Sequence, residues 1–188
     1  MSTCETNTLL KETLSTTPQA FATKVKAPCT GFCYLIIKNL DIVINLYETK
    51  DKTYGDFILG LIIEAANRKA YNQEIDKTGE YINGKTIYND FPEIVNNMEF
   101  QEFNTVDQNG SEYAINTLFL LILDLPLNKY VIITRSQETF LIIKLPSEKL
   151  LIVDSHKAKH GIVDLEGCIK YITRFGIYKG LIQIGYLK

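Results

Sequence analysis

The sequence is poor in the groups that bind metals and polyanions. It holds two histidines, His156 and His160, and its four cysteines (Cys4, Cys29, Cys33 and Cys168) show no C-x-x-C spacing. The compact ligand motifs of zinc domains are therefore missing, and no metal is expected. No excess of one charge is present either: 20 Lys and Arg stand against 22 Asp and Glu. Without a basic surplus there is no electrostatic footprint for nucleic acid or an anionic membrane, and neither is expected as a partner. No apolar run reaches the ~20 residues of a membrane span. The longest, residues 118–123, stops at Asp124 and Pro126. The Ser/Thr/Glu-rich start lacks the apolar stretch of a signal peptide. Internal repeats, low-complexity segments and Gly/Pro/Ser linkers are also lacking.

What remains is a chain of 188 residues, 46% of them hydrophobic, enough for one sizeable core. Residues 1–15 are polar and read as a loose arm, with a single domain over 16–188. Unpaired thiols imply a reducing compartment. The expected location is cytoplasmic, in the host cytosol if the source is a virus or intracellular pathogen.

Periodicity gives the elements. Phe32, Leu35, Ile36 and Leu40 recur at helical spacing, which predicts a helix over 31–40 with Thr30 as its N-cap. Phe57, Leu61, Ile62 and Ala65 predict a second helix over 55–69. Asn83-Gly84 predicts a hairpin over 81–88. Residues 93–110 are ambiguous, and 111–121 read as a helix capped by Ser111, although 118–123 equally suit a strand. Residues 129–134, 139–145 and 150–156 are apolar and β-branched-rich. They predict three adjacent antiparallel strands with both faces of the sheet covered. Asp164 caps a helix carrying Leu165, Cys168, Ile169, Ile172 and Phe175, with Gly176 at its C-terminal end. Residues 181–187 read as a last strand. The fold class is α+β, a mainly antiparallel sheet flanked by helices.

The chemistry is carried by Leu151-Ile-Val-Asp-Ser-His156, read as a strand ending in Asp-x-His. Side chains alternate in a strand, so Asp154 and His156 share a face and Ser155 points away. A carboxylate beside an imidazole fixes its tautomer and stabilises its cation. The nucleophile to match is Cys29, in Ala27-Pro-Cys29-Thr-Gly-Phe-Cys33 at the head of the first helix. A thiol of ordinary pKa near ~8.5 is mostly protonated at neutral pH, and a helix N-terminus and a neighbouring imidazolium both favour the thiolate. Oxyanion donors would be the Cys29 N–H and the Gln19 side chain, ten residues upstream in an extended lead-in. Cys33 and Cys168 read as core residues. His160, after Lys157 and Lys159, reads as part of a solvated loop.

The order Gln19, Cys29, Asp154, His156 resembles the deubiquitinase domain of herpesvirus large tegument proteins and their tegument-type relatives. Those domains place a Gln before a nucleophilic Cys at a helix start, and an Asp-x-His much later. Asn39-Leu-Asp41, Ile87-Tyr-Asn-Asp-Phe-Pro92, Ile132-Ile-Thr134 with Phe140-Leu-Ile-Ile-Lys144, and Asp154-Ser-His156 followed by Gly161 extend the likeness. The resemblance implies a papain-like cysteine protease fold and a Cys29–His156–Asp154 triad assisted by Gln19. It also implies hydrolysis of the bond after the C-terminal Gly-Gly of ubiquitin or polyubiquitin, without a cofactor. A channel too narrow for Cβ atoms suits a di-glycine tail. The hairpin residues Tyr81, Ile82, Ile87 and Tyr88 are the candidate contacts for ubiquitin. A cysteine protease for another modifier or a polyprotein, and a non-catalytic ubiquitin-binding module, are the alternative readings.

Overall fold

The computed structural model describes residues 9–23, 28–68, 90–104, 108–135, 138–174 and 181–188. A seven-stranded antiparallel sheet organises them, in the order β1-β6-β5-β4-β3-β7-β2. Its strands are β1 Glu12–Ser15, β2 Met98–Asn104, β3 Tyr130–Arg135, β4 Glu138–Lys144, β5 Leu150–Val153, β6 Lys159–Val163 and β7 Leu181–Leu187. The helices are α1 Gln19–Ala22, α2 Cys29–Lys38, α3 Leu40–Glu48, α4 Tyr54–Asn67, α5 Pro92–Val95, α6 Gln108–Leu123 and α7 Leu165–Arg174. The mixed α+β class is as the sequence implies. Among the described residues no single helix is long and apolar enough to cross a membrane.

The unbroken apolar strands follow from a sheet covered on both faces. Alternate residues feed opposite layers. Tyr130, Ile132, Leu141, Ile143, Leu151 and Val153 pack with α2, α3 and α4 through Phe32, Leu35, Ile44 and Ile58. Val131, Ile133, Phe140, Ile142 and Ile152 pack with α6 and α7 through Leu118, Ile122, Cys168 and Ile172. A side chain of this size contributes roughly 1.5–3 kcal/mol when fully buried. Cys33 and Cys168 lie in these two clusters, as expected of core residues.

Several local expectations are corrected. Residues 12–15 were expected in a loose arm but form β1 on the edge of the sheet, paired with β6. Gly161 makes that pairing possible. A Cβ there would stand 2.8 Å from Leu10 Cβ and 2.9 Å from the Glu12 carbonyl oxygen. The first helix starts at Cys29 instead of Gly31, with Pro28 as its N-cap. Thr30 caps nothing, because its hydroxyl lies 2.9 Å from Thr139 Oγ1 on β4. Residues 98–104 are a strand, and residues 118–123 belong to helix α6. Asp164 does cap α7, its Oδ1 accepting the Gly167 N–H at 2.7 Å. Residues 81–88, and Phe175 and Gly176, lie outside the described residues.

Candidate active site

Sheet register decides where the chemical groups meet. β3 ends and β4 begins at one end of the sheet, where Arg135 pairs with Glu138, and β5 ends there at Val153, opposite Leu141. Helix α2 reaches the same end, its first turn tied to β4 by the Thr30–Thr139 hydroxyl contact. Cys29 at the head of α2 and Asp154 just past β5 are therefore brought to one place. Cys29 is buried, and its neighbour one turn on, Cys33, is directed into the core with its Sγ 3.5 Å from the Thr139 carbonyl oxygen.

Asp154 and His156 are not strand residues. β5 stops at Val153, and the chain turns at once. Asp154 Oδ1 accepts the backbone N–H of His156 at 3.0 Å and its ring Nδ1–H at 2.8 Å. The first bond is the Asx-turn typical of Asp. The two groups face each other because of this turn, not because of strand alternation. Tyr171 of α7 donates its hydroxyl to Asp154 Oδ2 at 3.1 Å. Both carboxylate oxygens are thus engaged in a site where Asp154 is only 2% exposed.

The electrostatics follow from these contacts. Burial by itself raises the Asp154 pKa, but the His156 hydrogen bonds and charge outweigh it and hold the carboxyl below its usual value. Burial likewise lowers the His156 pKa. Hydrogen bonds to Asp154 and to the Cys29 side chain, with the charge attraction of both, overcome burial and push it up to about 10. With Nδ1 committed to Asp154, Nε2 is the ring nitrogen left for Cys29. A histidine so held carries its proton at neutral pH, between Asp154 and the Cys29 side chain.

Gln19 also reaches the turn. It is not in an extended lead-in but opens the one-turn helix α1, and it is buried. Its backbone N–H donates to the Ser155 carbonyl at 2.8 Å, and its Oε1 accepts the Ser155 hydroxyl at 2.6 Å. The structure thus brings together Gln19, Cys29, Asp154 and His156. Tyr81, Ile82, Ile87 and Tyr88 lie outside the described residues.

His160 is corrected outright. It is 1% exposed on β6, not in a solvated loop. Its Nε2–H donates to the Asp154 carbonyl at 3.3 Å, so Nδ1 is the acceptor for the Tyr54 hydroxyl at 2.9 Å. Burial pushes its pKa down to about 4, leaving it neutral. Sequence reasoning also missed Tyr171 and Ser155. The signal for His160 was the strand period: Lys159 is exposed, whereas His160 and Ile162 face the helices of the first cluster. No group of three or more His, Cys, Asp or Glu residues among the described residues could hold a metal ion.

The fold has a solved counterpart. The fold is similar to that of the ubiquitin-specific protease encoded by the murine cytomegalovirus tegument protein M48. That protein was crystallised in complex with a ubiquitin-based suicide substrate. The likeness has a TM-score of 0.61 at 14% identity, and covers 93% of this chain and 84% of that one. At this identity the shared property is the fold. No family model matches the sequence, and no curated protein matches it.

Proposed function

We propose that the chain is a cysteine-type deubiquitinase of papain-like arrangement, hydrolysing the bond after the C-terminal Gly-Gly of ubiquitin. The observation that carries this reading is the three-residue turn 154–156. It presents a carboxylate to an imidazole, and that imidazole to the thiol at a helix head. The fold likeness to a ubiquitin-specific protease supports the choice of substrate.

In this reading the proton already rests on His156, and Cys29 Sγ attacks the carbonyl carbon of the terminal glycine. The negative charge gathered on the carbonyl oxygen is met by the Cys29 backbone N–H and by Gln19 Nε2. The His156 imidazolium then protonates the leaving amine, the C–N bond breaks, and a thioester remains on Cys29. Water, deprotonated by the now neutral His156, attacks the thioester. Ubiquitin leaves with a free carboxylate, and Cys29 is regenerated. Asp154 keeps Nδ1 protonated throughout and stabilises each imidazolium. Tyr171 holds the carboxylate from its other side.

Ubiquitin or polyubiquitin is the proposed partner, with Tyr81, Ile82, Ile87 and Tyr88 as apolar contacts to its surface. A charged substitution at Ile82 is expected to raise KM more than it lowers the thermal midpoint. An unchanged KM removes Ile82 from the substrate site. The reading as a whole is tested by release of a fluorophore from the ubiquitin C-terminus. Turnover by the wild-type chain and its loss in Cys29→Ala are expected. Equal rates for the two proteins rule the mechanism out.

A further inference from the structure

Residues 16–19, leading into and opening α1, and the turn after β5 are stitched together by four hydrogen bonds. Thr16 donates its N–H to the Ala158 carbonyl at 2.8 Å and its hydroxyl to the Lys157 carbonyl at 3.1 Å. The Gln19 N–H donates to the Ser155 carbonyl, and the Ser155 hydroxyl donates to Gln19 Oε1. The first three place the Gln19 backbone. They say nothing about which way its side-chain amide is turned, and only the fourth does.

That distinction matters because a glutamine amide has two nearly isosteric orientations, one offering a donor and the other an acceptor. Gln19 and Ser155 are both buried, at 7% and 1% exposure. In the observed orientation the single Ser155 hydroxyl proton is used on Oε1. Gln19 Nε2 has no hydrogen-bond partner among the described residues. Turning the amide over would leave the buried hydroxyl proton without its acceptor. It would also present Oε1, an acceptor, where a developing oxyanion needs a donor.

We propose that Ser155 is a positioning residue that locks the Gln19 amide with Oε1 held and Nε2 free to donate. The residue between Asp154 and His156 thereby sets the oxyanion donor. This rests on the deubiquitinase reading above, and it adds a residue whose only route to the reaction is through Gln19. One turn carries the base, the residue that orients the base, and the residue that orients the second oxyanion donor.

The test compares Ser155→Ala, Gln19→Ala and the double variant in two reactions of the full chain. Hydrolysis of a ubiquitin C-terminal fluorophore forms an oxyanion. Alkylation of Cys29 by iodoacetamide uses the same thiol and imidazole but forms none. Ser155→Ala is expected to lower kcat by about 10- to 100-fold with KM, the alkylation rate and its pH profile unchanged. The double variant is expected to be no slower than Gln19→Ala alone. Independently of turnover, the Gln19 side-chain amide resonances of 15N-labelled protein are expected to shift or double in Ser155→Ala. Wild-type kcat in Ser155→Ala, losses that multiply in the double variant, alkylation slowed in step with hydrolysis, or unmoved Gln19 resonances would each overturn the lock. Full turnover in Gln19→Ala would remove the oxyanion donor and the lock together while leaving Cys29 and His156 in place. Full turnover in Cys29→Ala would instead defeat the deubiquitinase reading itself.

Discussion

Asp154 Oδ1 receives two N–H groups from the same residue, the backbone and the ring of His156, at 3.0 and 2.8 Å. One oxygen therefore fixes both where the imidazole is attached and how it is turned. Asp154→Asn is expected to keep the fold but to lose this grip, because an amide accepts weakly at one end and cannot stabilise an imidazolium. A fall in kcat by several orders of magnitude is expected, as in other triads. Steady-state rates together with a circular-dichroism spectrum check it. Near-wild-type kcat would show that Asp154 does not orient the base.

The two histidines shift in opposite directions, to about 10 for His156 and about 4 for His160. Between about pH 6.5 and 10 the folded protein holds a proton on His156 that the unfolded chain lacks, so this contribution falls as pH rises. Between about pH 4 and 6.5 the unfolded chain protonates His160 while the fold keeps it neutral, so stability falls as pH drops. Their combined contribution peaks near pH 6.5. Thermal midpoints across pH 4–10 are expected to show a shallower alkaline limb in His156→Ala and a shallower acid limb in His160→Gln. Parallel curves for all three proteins would contradict both shifts.

His160 also has a consequence for rate. It holds the Asp154 carbonyl and is itself held by Tyr54. His160→Ala is expected to destabilise the protein by about 2–4 kcal/mol, as a buried, doubly bonded ring is replaced by a void. It is also expected to slow turnover by loosening the turn. Denaturant melts and kcat on the same variant decide this. An unaffected midpoint would return His160 to a solvated position.

Strands β3, β4, β5 and β7 and the helices α4 and α7 were legible because their signals are local. Periodic apolar residues lie within each element, and Asp164 stands three residues before the Gly167 N–H it caps. What was not legible depends on partners distant in sequence. Glu-Thr-Leu-Ser at 12–15 has a largely exposed pattern, and becomes a strand only because β6, about 150 residues away, supplies its hydrogen bonds. Tyr171 stands outside the apolar set that marks this helix in the sequence, and its contact appears only when α7 packs back along the sheet and brings it to Asp154. At the site, the residues named from the sequence meet through a geometry other than the expected one. Asp154 and His156 face each other through an Asx-turn, and Gln19 is in a helical turn tied to Ser155.

Tyr171→Phe isolates the far side of the carboxylate. The ring and its edge contact with Phe140 stay, while the hydroxyl bond to Asp154 Oδ2 goes. A loss of about 1–3 kcal/mol in stability is expected, the usual cost of an unsatisfied charged acceptor, with a fall of about tenfold in kcat. Urea titration and steady-state kinetics check both. Unchanged stability would mean that this bond contributes nothing in solution.

The most direct measurement is reaction of the full chain with a ubiquitin bearing a C-terminal propargylamide, with the adduct mapped by tandem mass spectrometry. One covalent adduct on Cys29 is expected, absent in Cys29→Ala and retained in Cys33→Ala. An adduct on a different cysteine, or none while iodoacetamide still alkylates Cys29, would contradict the assignment of this chain as a ubiquitin-cleaving cysteine hydrolase.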